Sequence, residues 1–221
     1  MIAGGQGERS RRALVAGATG LVGTEIVRLL LADPEVQRVT AVARRPLDER
    51  SPKLEARSVD FDRLDASADA FAVDQIFCAL GTTIRQAGSR EQFRRVDHDY
   101  PLAIARLGVE RGARHFLIVT AIGADAGSRV FYNRVKGEVE DAIRALPYHS
   151  LTIVRPSLLL GDRRERRLGE EIGKRLGWLL PGRYRPVHSR DVAAALVHAA
   201  QKDAPGVRII ESSEIRRQGR A

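Results

Sequence analysis

"ALVAGATGLVGTEIVRLLLA", residues 13–32, decides the fold. Residues 13–18 read as a short apolar strand running into glycine. Residues 21–32 repeat apolar side chains at helical spacing and stop before Asp33-Pro34. Between them Gly17, Gly20 and Gly23 stand three residues apart. A chain that leaves a strand and enters a helix in so few residues must turn sharply. The helix then presents unpaired N–H groups and the positive end of its dipole. Those features suit a pyrophosphate lying against close backbone. In a chain with 20 glycines the triplet alone is a weak signal. Its place on the first strand-to-helix turn gives it meaning, against the plainer reading of a tight turn that packs helix on sheet.

Outward from that unit, strand-like and helix-like stretches alternate. Strands are predicted at 38–44 ("RVTAVAR"), 55–61 ("EARSVDF"), 75–80 ("QIFCAL"), 115–122 ("HFLIVTAI") and 150–156 ("SLTIVRP"). Helices are predicted near 63–72, over 89–112 and over 132–146. Ser89 would cap the second of these and Pro101 should kink or split it. Apolar strands separated by helices predict an α/β fold, a doubly wound parallel sheet of the Rossmann type. Residues 157–221 are less regular, with an Arg/Glu-rich segment at 162–176, a helix near 189–201 and a strand "GVRIIE" at 206–211. The expected organisation is a disordered leader 1–12, one domain over 13–215 and a basic tail 216–221. Within the domain, 157–185 form a small irregular substrate-covering region.

Composition narrows the function. At 221 residues, with 43% apolar and 29% charged side chains, the chain suits one soluble domain. No apolar run approaches the roughly 18 residues that cross a bilayer, and "MIAGGQGERSRR" lacks a secretory core. A lone Cys78 excludes an intrachain disulfide. Together these predict a cytoplasmic location and no membrane partner. Five scattered histidines show no zinc spacing, so no metal is expected. The net charge of +9 comes with basic clusters at 9–12, 163–167 and 216–220. Two of these lie at the termini and the third includes Glu165, so nucleic acid is not expected as a partner.

Around a dinucleotide, the turn residues Gly17, Thr19, Gly20, Leu21, Val22 and Gly23 would meet the diphosphate. The second strand ends in "ARRP", with no carboxylate until Asp48. An acid there would accept hydrogen bonds from the adenosine ribose, whereas Arg44 and Arg45 suit a 2′-phosphate. This favours NADP(H) over NAD(H); the plainer alternative is that the arginines are solvated. Asp60 and Phe61, ending the third strand, would lie by the adenine. Leu80, Gly81 and Thr82, after the fourth, would flank the cofactor's middle. Cys78 reads as a buried, inert thiol.

"YNRVK" (132–136) places Tyr132 and Lys136 on one helix face, in a chain with only four tyrosines and four lysines. Hydride delivery to a carbonyl leaves an alkoxide that needs a proton. A phenol of ordinary pKa near 10 serves at neutral pH when an ammonium stabilises its phenolate. Lys136 could do this while also reaching the nicotinamide ribose. Thr120, at the end of the strand before this helix, is the candidate hydroxyl to orient the carbonyl. In the neighbouring frame Ala121 takes that place, and Ser128 or Ser157 would have to compensate. Arg155, Ser157 and the arginines of 163–167 could meet a polar or anionic substrate group, or form internal Arg/Glu pairs. Asp191 reads as a helix opener and Tyr100 as packing.

"GATGLVG", the Tyr132/Lys136 pair and the strand order resemble the short-chain dehydrogenase/reductase superfamily in its atypical, extended branch. "FCALGTT", "QAGSREQFRRVDHDY", "HFLIVTAIGAD", "YNRVKGEVE" and "RPSLLLGDRRERRLGE" are similar to its Tat-interacting oxidoreductase group, a likeness covering about 13–215. The resemblance implies an NADPH-binding Rossmann domain with Tyr132 and Lys136 in the catalytic positions and a small-molecule substrate. It also implies roles as interaction proteins, hence a protein partner or homodimer. Two functions follow: an NADP(H)-dependent oxidoreductase acting on a small carbonyl or alcohol, or a non-catalytic NADPH-binding regulator. Epimerase or dehydratase chemistry, which uses the same pair, is a third.

Overall fold

The computed structural model describes residues 10–44, 47, 49–160 and 184–218. Seven strands form one sheet in the order β3-β2-β1-β4-β5-β6-β9, with every neighbouring pair parallel. They are β1 (Arg11–Ala16), β2 (Val36–Ala43), β3 (Leu54–Ser58), β4 (Gln75–Cys78), β5 (His115–Val119), β6 (Ser150–Arg155) and β9 (Gly206–Glu211). Ala13 to Ala16 are fully buried because helices cover both faces, which is why β1 reads as an unbroken apolar run. A pair of two-residue strands, β7 (Leu159–Leu160) and β8 (Val187–His188), stands apart and was not foreseen.

The helices divide between two apolar layers. On one face α1 (Leu21–Ala32) packs beside α6 (Ser189–Lys202), bringing Ile26, Val27 and Leu30 against Val192 and Leu196. On the other, α4 (Tyr100–Glu110) and α5 (Phe131–Arg144) place Ile104, Val139 and Ile143 over Leu14, Ile76, Phe116 and Ile153. From β1 the chain builds outward to β2 and β3, then crosses back to β4, β5, β6 and β9. The order reverses between β1 and β4, and a crevice opens at the carboxyl ends of strands at such a point.

Several boundaries differ from expectation for identifiable reasons. β1 begins at Arg11, inside the expected leader, because Arg11 pairs with Val36 and its guanidinium reaches Asp33 (2.9 Å) and Glu35 (2.8 Å). Residues 1–9 of that leader lie outside the described residues. The 63–72 stretch is a 3-10 helix, Leu64–Phe71. The 89–112 stretch, by contrast, is capped by Ser89 and divided near Pro101 as expected. Thr83 caps α2 (Ile84–Ala87), Ser89 caps α3 (Arg90–Arg94), and a wide π turn (Arg95–Asp99) precedes α4. Pro101 has no N–H for the carbonyl of Asp97, and the wide turn absorbs the missing bond. The tail is shorter too: α7 (Ser212–Gln218) runs into it directly from β9. The expected substrate-covering region, 157–185, falls mostly outside the described residues.

At the amino edge of the sheet, His115 joins three elements. Its Nδ1 lies 3.0 Å from Asp203 Oδ1, just past α6, and its Nε2 3.0 Å from Thr152 Oγ1 on β6. Burial pushes this imidazole down to about 4, with the Asp203 carboxylate opposing. The folded protein thus prefers His115 neutral, whereas an unfolded histidine takes up its proton near pH 6.5. The stability this contributes is complete above that value and is lost as pH falls toward 4. Urea unfolding should show stability falling by about 2 kcal/mol from about pH 7.5 to about pH 5, and His115→Gln should flatten that slope.

Candidate active site

The glycine turn is shaped by what a side chain would strike. Gly17 has φ +83°, and a Cβ there would sit 2.7 Å from the Ala79 carbonyl oxygen. A Cβ on Gly23 would come within 2.1 Å of the Gly17 carbonyl oxygen, so α1 can dock this close only with glycine. The Gly20 N–H donates to the Gly17 carbonyl at 2.8 Å, closing the turn. No side chain caps α1, and its first turn carries no acid. Its positive end therefore opens on the crevice, as a diphosphate requires.

The crevice is a cavity of about 780 Å³. Gly20, Leu21 and Val22 line one side, with the loop Ala79–Thr83 after β4. Val119–Ile122 form the floor, Tyr132 and Lys136 enter from α5, and Pro156–Leu160 close the far side. The structure thus brings together Gly20, Leu21, Val22, Leu80, Gly81, Thr82, Thr120, Tyr132 and Lys136 of the expected residues. Gly17 and Gly23 stand behind the turn as its packing. A second depression, about 430 Å³ and lined by Arg12, Arg38 and Lys53, lies at the amino ends of the strands, away from this chemistry.

Other expected residues lie elsewhere. Asp60 is exposed and accepts the Asp62 N–H at 3.0 Å. Phe61 is buried and stacks on Tyr100 with ring centroids 5.4 Å apart, so it serves the core. The Arg95 guanidinium covers the Tyr100 ring at 5.9 Å, which makes Tyr100 a packing residue. Arg44 is exposed just past β2; Arg45 is outside the described residues.

On α5, Tyr132 packs its ring on Phe93 of α3 at 5.3 Å. Lys136 is buried, with Nζ 2.7 Å from Asp97 Oδ1, and the other oxygen of Asp97 accepts the Thr82 N–H at 2.9 Å. Burial works against the Lys136 ammonium, but the charge of Asp97, helped by Tyr132, outweighs it and raises the lysine above its usual range. Burial likewise raises the Asp97 carboxyl, against the pull of Lys136. Cys78 stands nearby with its thiol pushed up to about 12 by burial, which leaves it inert at neutral pH.

One turn further along α5, Glu140 is also buried. It accepts the Thr120 hydroxyl at 2.7 Å, Arg155 Nε at 3.0 Å and Arg155 Nη2 at 2.5 Å, with Arg144 at 3.2 Å. This corrects one expectation and decides between two readings of another residue. Thr120 lines the cavity, but its proton goes to Glu140 and not to a substrate carbonyl. Arg155 is held by Glu140 and by Glu211 (3.1 Å), so it does not await an anionic substrate. Nor does Ser157 offer a donor: its hydroxyl gives its proton to the Arg185 carbonyl at 2.5 Å. Ser128 uses its oxygen to accept the Val130 N–H at 3.2 Å. Asp97 and Glu140 were missed in the sequence. Glu140 was readable as the next step of the four-residue spacing Tyr132–Lys136–Glu140, whereas Asp97 was hidden by the π turn.

Among the described residues no group of His, Cys, Asp and Glu could hold a metal ion, and no helix is long and apolar enough to cross a membrane. A parallel sheet with its switch point over a glycine turn, and a Tyr/Lys pair facing the same crevice, defines an α/β protein of the Rossmann type with a cleft suited to a dinucleotide. More particularly, the chain belongs to the NAD(P)H-binding family whose model matches residues 17–203. It is 37% identical over 213 residues to protein FMP52 of Eremothecium gossypii, covering 92% of this chain and 95% of that one. To protein HTATIP2 of Rattus norvegicus it is 37% identical over 177 residues, covering 78% and 73%. The solved structure of MoeE5 with UDP-glucose and NAD shares the fold at a TM-score of 0.71 and 17% identity, covering 92% of this chain and 79% of that one.

These relatives overturn the expected cytoplasmic location, because FMP52 is named as a mitochondrial protein. One unpaired cysteine does not distinguish cytoplasm from mitochondrion.

Glu140→Ala should leave Arg155 with Glu211 alone and free Thr120, lowering stability by about 3 kcal/mol in urea titrations. Glu140→Gln, which keeps an acceptor for Thr120, should cost less.

Proposed function

We propose that this protein is an NADP(H)-dependent oxidoreductase interconverting a small carbonyl compound and its alcohol. The observation that carries this reading is that Tyr132 and Lys136 line the same cavity as the glycine turn. The turn from Gly17 to Gly23 and the uncapped start of α1 would hold the diphosphate. Gly81 and Thr82 would flank the cofactor's middle, and Arg44 would meet a 2′-phosphate. A bound nicotinamide supplies or accepts the hydride. In reduction, the Tyr132 hydroxyl gives its proton to the carbonyl oxygen as the C=O electron pair moves onto that oxygen. In oxidation the same phenol oxygen takes the alcohol's proton. The Lys136 ammonium stabilises the phenolate left after proton donation. Apolar side chains at Ile122, Leu158 and Leu160 line the same cavity as Tyr132.

A second reading, a non-catalytic NADPH-binding regulator, is favoured by the Thr120 hydroxyl, whose proton goes to Glu140 and so is not offered to a carbonyl beside Tyr132. Replacing Tyr132 by Phe separates the two. Under the first reading NADPH affinity stays within about twofold while turnover of carbonyl substrates falls by about 10²-fold or more. If no member of a broad carbonyl panel is turned over by the unaltered protein despite tight NADPH binding, the second reading stands. For the cofactor, Arg44→Ala should weaken NADPH by about tenfold and leave NADH nearly unchanged, as followed by protein fluorescence. Equal losses for both would exclude the 2′-phosphate contact.

A further inference from the structure

Lys136 and Asp97 are the only oppositely charged pair among the described residues lining the cavity, and both are almost fully buried. Three groups face the Lys136 ammonium: Asp97 from the π turn, Tyr132 from its own helix and the Cys78 thiol from β4. Of these, Asp97 lies 2.7 Å away and brings the negative charge at neutral pH. The other oxygen of Asp97 is used by the Thr82 N–H. That second bond would be satisfied equally by an uncharged amide, so the loop does not need the carboxylate's charge. The lysine does. A buried lysine without a counter-ion gives up its proton several pH units early.

We propose that Asp97 is a positioning residue: its carboxylate, delivered by the π turn ahead of Pro101, holds Lys136 in place as an ammonium within the cavity. The wide turn is then the device that swings an acid from the α3–α4 connection to the inner end of α5. Gly81 lies beside the pair: a Cβ there would make ordinary contact, 3.5 Å from Asp97 Oδ1 and 3.9 Å from Lys136 Nζ. The hold on Lys136 stands by itself. Its consequence for turnover rests on the reading of Tyr132 and Lys136 as the reacting pair.

The scarcity of lysine makes the test direct. With 13C-labelled lysine the chain gives four side-chain Cε signals, from Lys53, Lys136, Lys174 and Lys202, and Lys136→Arg assigns the one of interest. In the unaltered protein the Lys136 signal should titrate above the other three. In Asp97→Asn, which keeps the bond to Thr82, it should titrate about two pH units or more below them. The same titration pH in both proteins overturns the proposal. Should Asp97→Asn fail to fold, the unaltered protein still decides, because Lys136 titrating below the other lysines there also overturns it. Turnover is the second arm. In Asp97→Asn, turnover of a carbonyl substrate should be lost as pH rises through the lowered Lys136 titration, a limb absent from the unaltered protein. A shifted lysine signal with no such limb supports the hold by Asp97 and overturns the role given to Lys136 in turnover.

Discussion

Gly23 meets the carbonyl oxygen of Gly17 at a separation no side chain tolerates, and the geometry of the crevice follows from that contact. Because α1 lies so near the end of β1, its first N–H groups face the gap between β1 and β4. Ala79 and Leu80 close on Gly17 from the other side. The gap falls where the strand order reverses, so helices on opposite faces diverge and leave room for a ligand. A larger residue at 17 or 23 would push helix from sheet and disturb the backbone cradle before any ligand contact was at issue.

The other wall depends on burying charge in α5. Lys136 and Glu140 both turn inward, and an unpaired charge at either place would be costly. Each is matched from a different element: Lys136 by the π turn, Glu140 by Thr120 at the end of β5 and by Arg155 on β6. Gly137 between them lets the helix touch the 125–126 backbone, where a Cβ would stand 2.1 Å from the Ala126 nitrogen. The helix is therefore fixed in rotation as well as in position, and Tyr132 is aimed by contacts made one and two turns away.

The sequence disclosed the fold well because a parallel sheet buried on both faces writes itself as apolar runs, and the glycine spacing marked the turn. Tyr132 and Lys136 were legible through their spacing and the strand ahead of them. Legibility failed where a side chain's partner is distant in the chain. Thr120 looked like a substrate donor because Glu140, which takes its proton, is 20 residues away. Arg155 was left between a substrate group and an internal pair, because Glu140 and Glu211 are 15 and 56 residues away. Asp97 was obscured differently: in a regular helix its register would not be resolved, and the π turn, one residue wider per bond, changes the direction of every side chain within it. Phe61 was placed with the adenine on strand-end position alone, whereas its ring belongs to the layer beneath Tyr100.

Mounting the phenol on a helix pinned from within has a consequence for how such a protein can diversify. The wall opposite, formed by Ile122 and Pro156–Leu160, contributes no residue to the ion pairs that fix α5 among the described residues. Its side chains can be exchanged for others of different size or polarity without tilting the Tyr132 ring. The shape of the cleft's outer wall and the placing of Tyr132 are thus governed by separate sets of residues, free to vary at different rates.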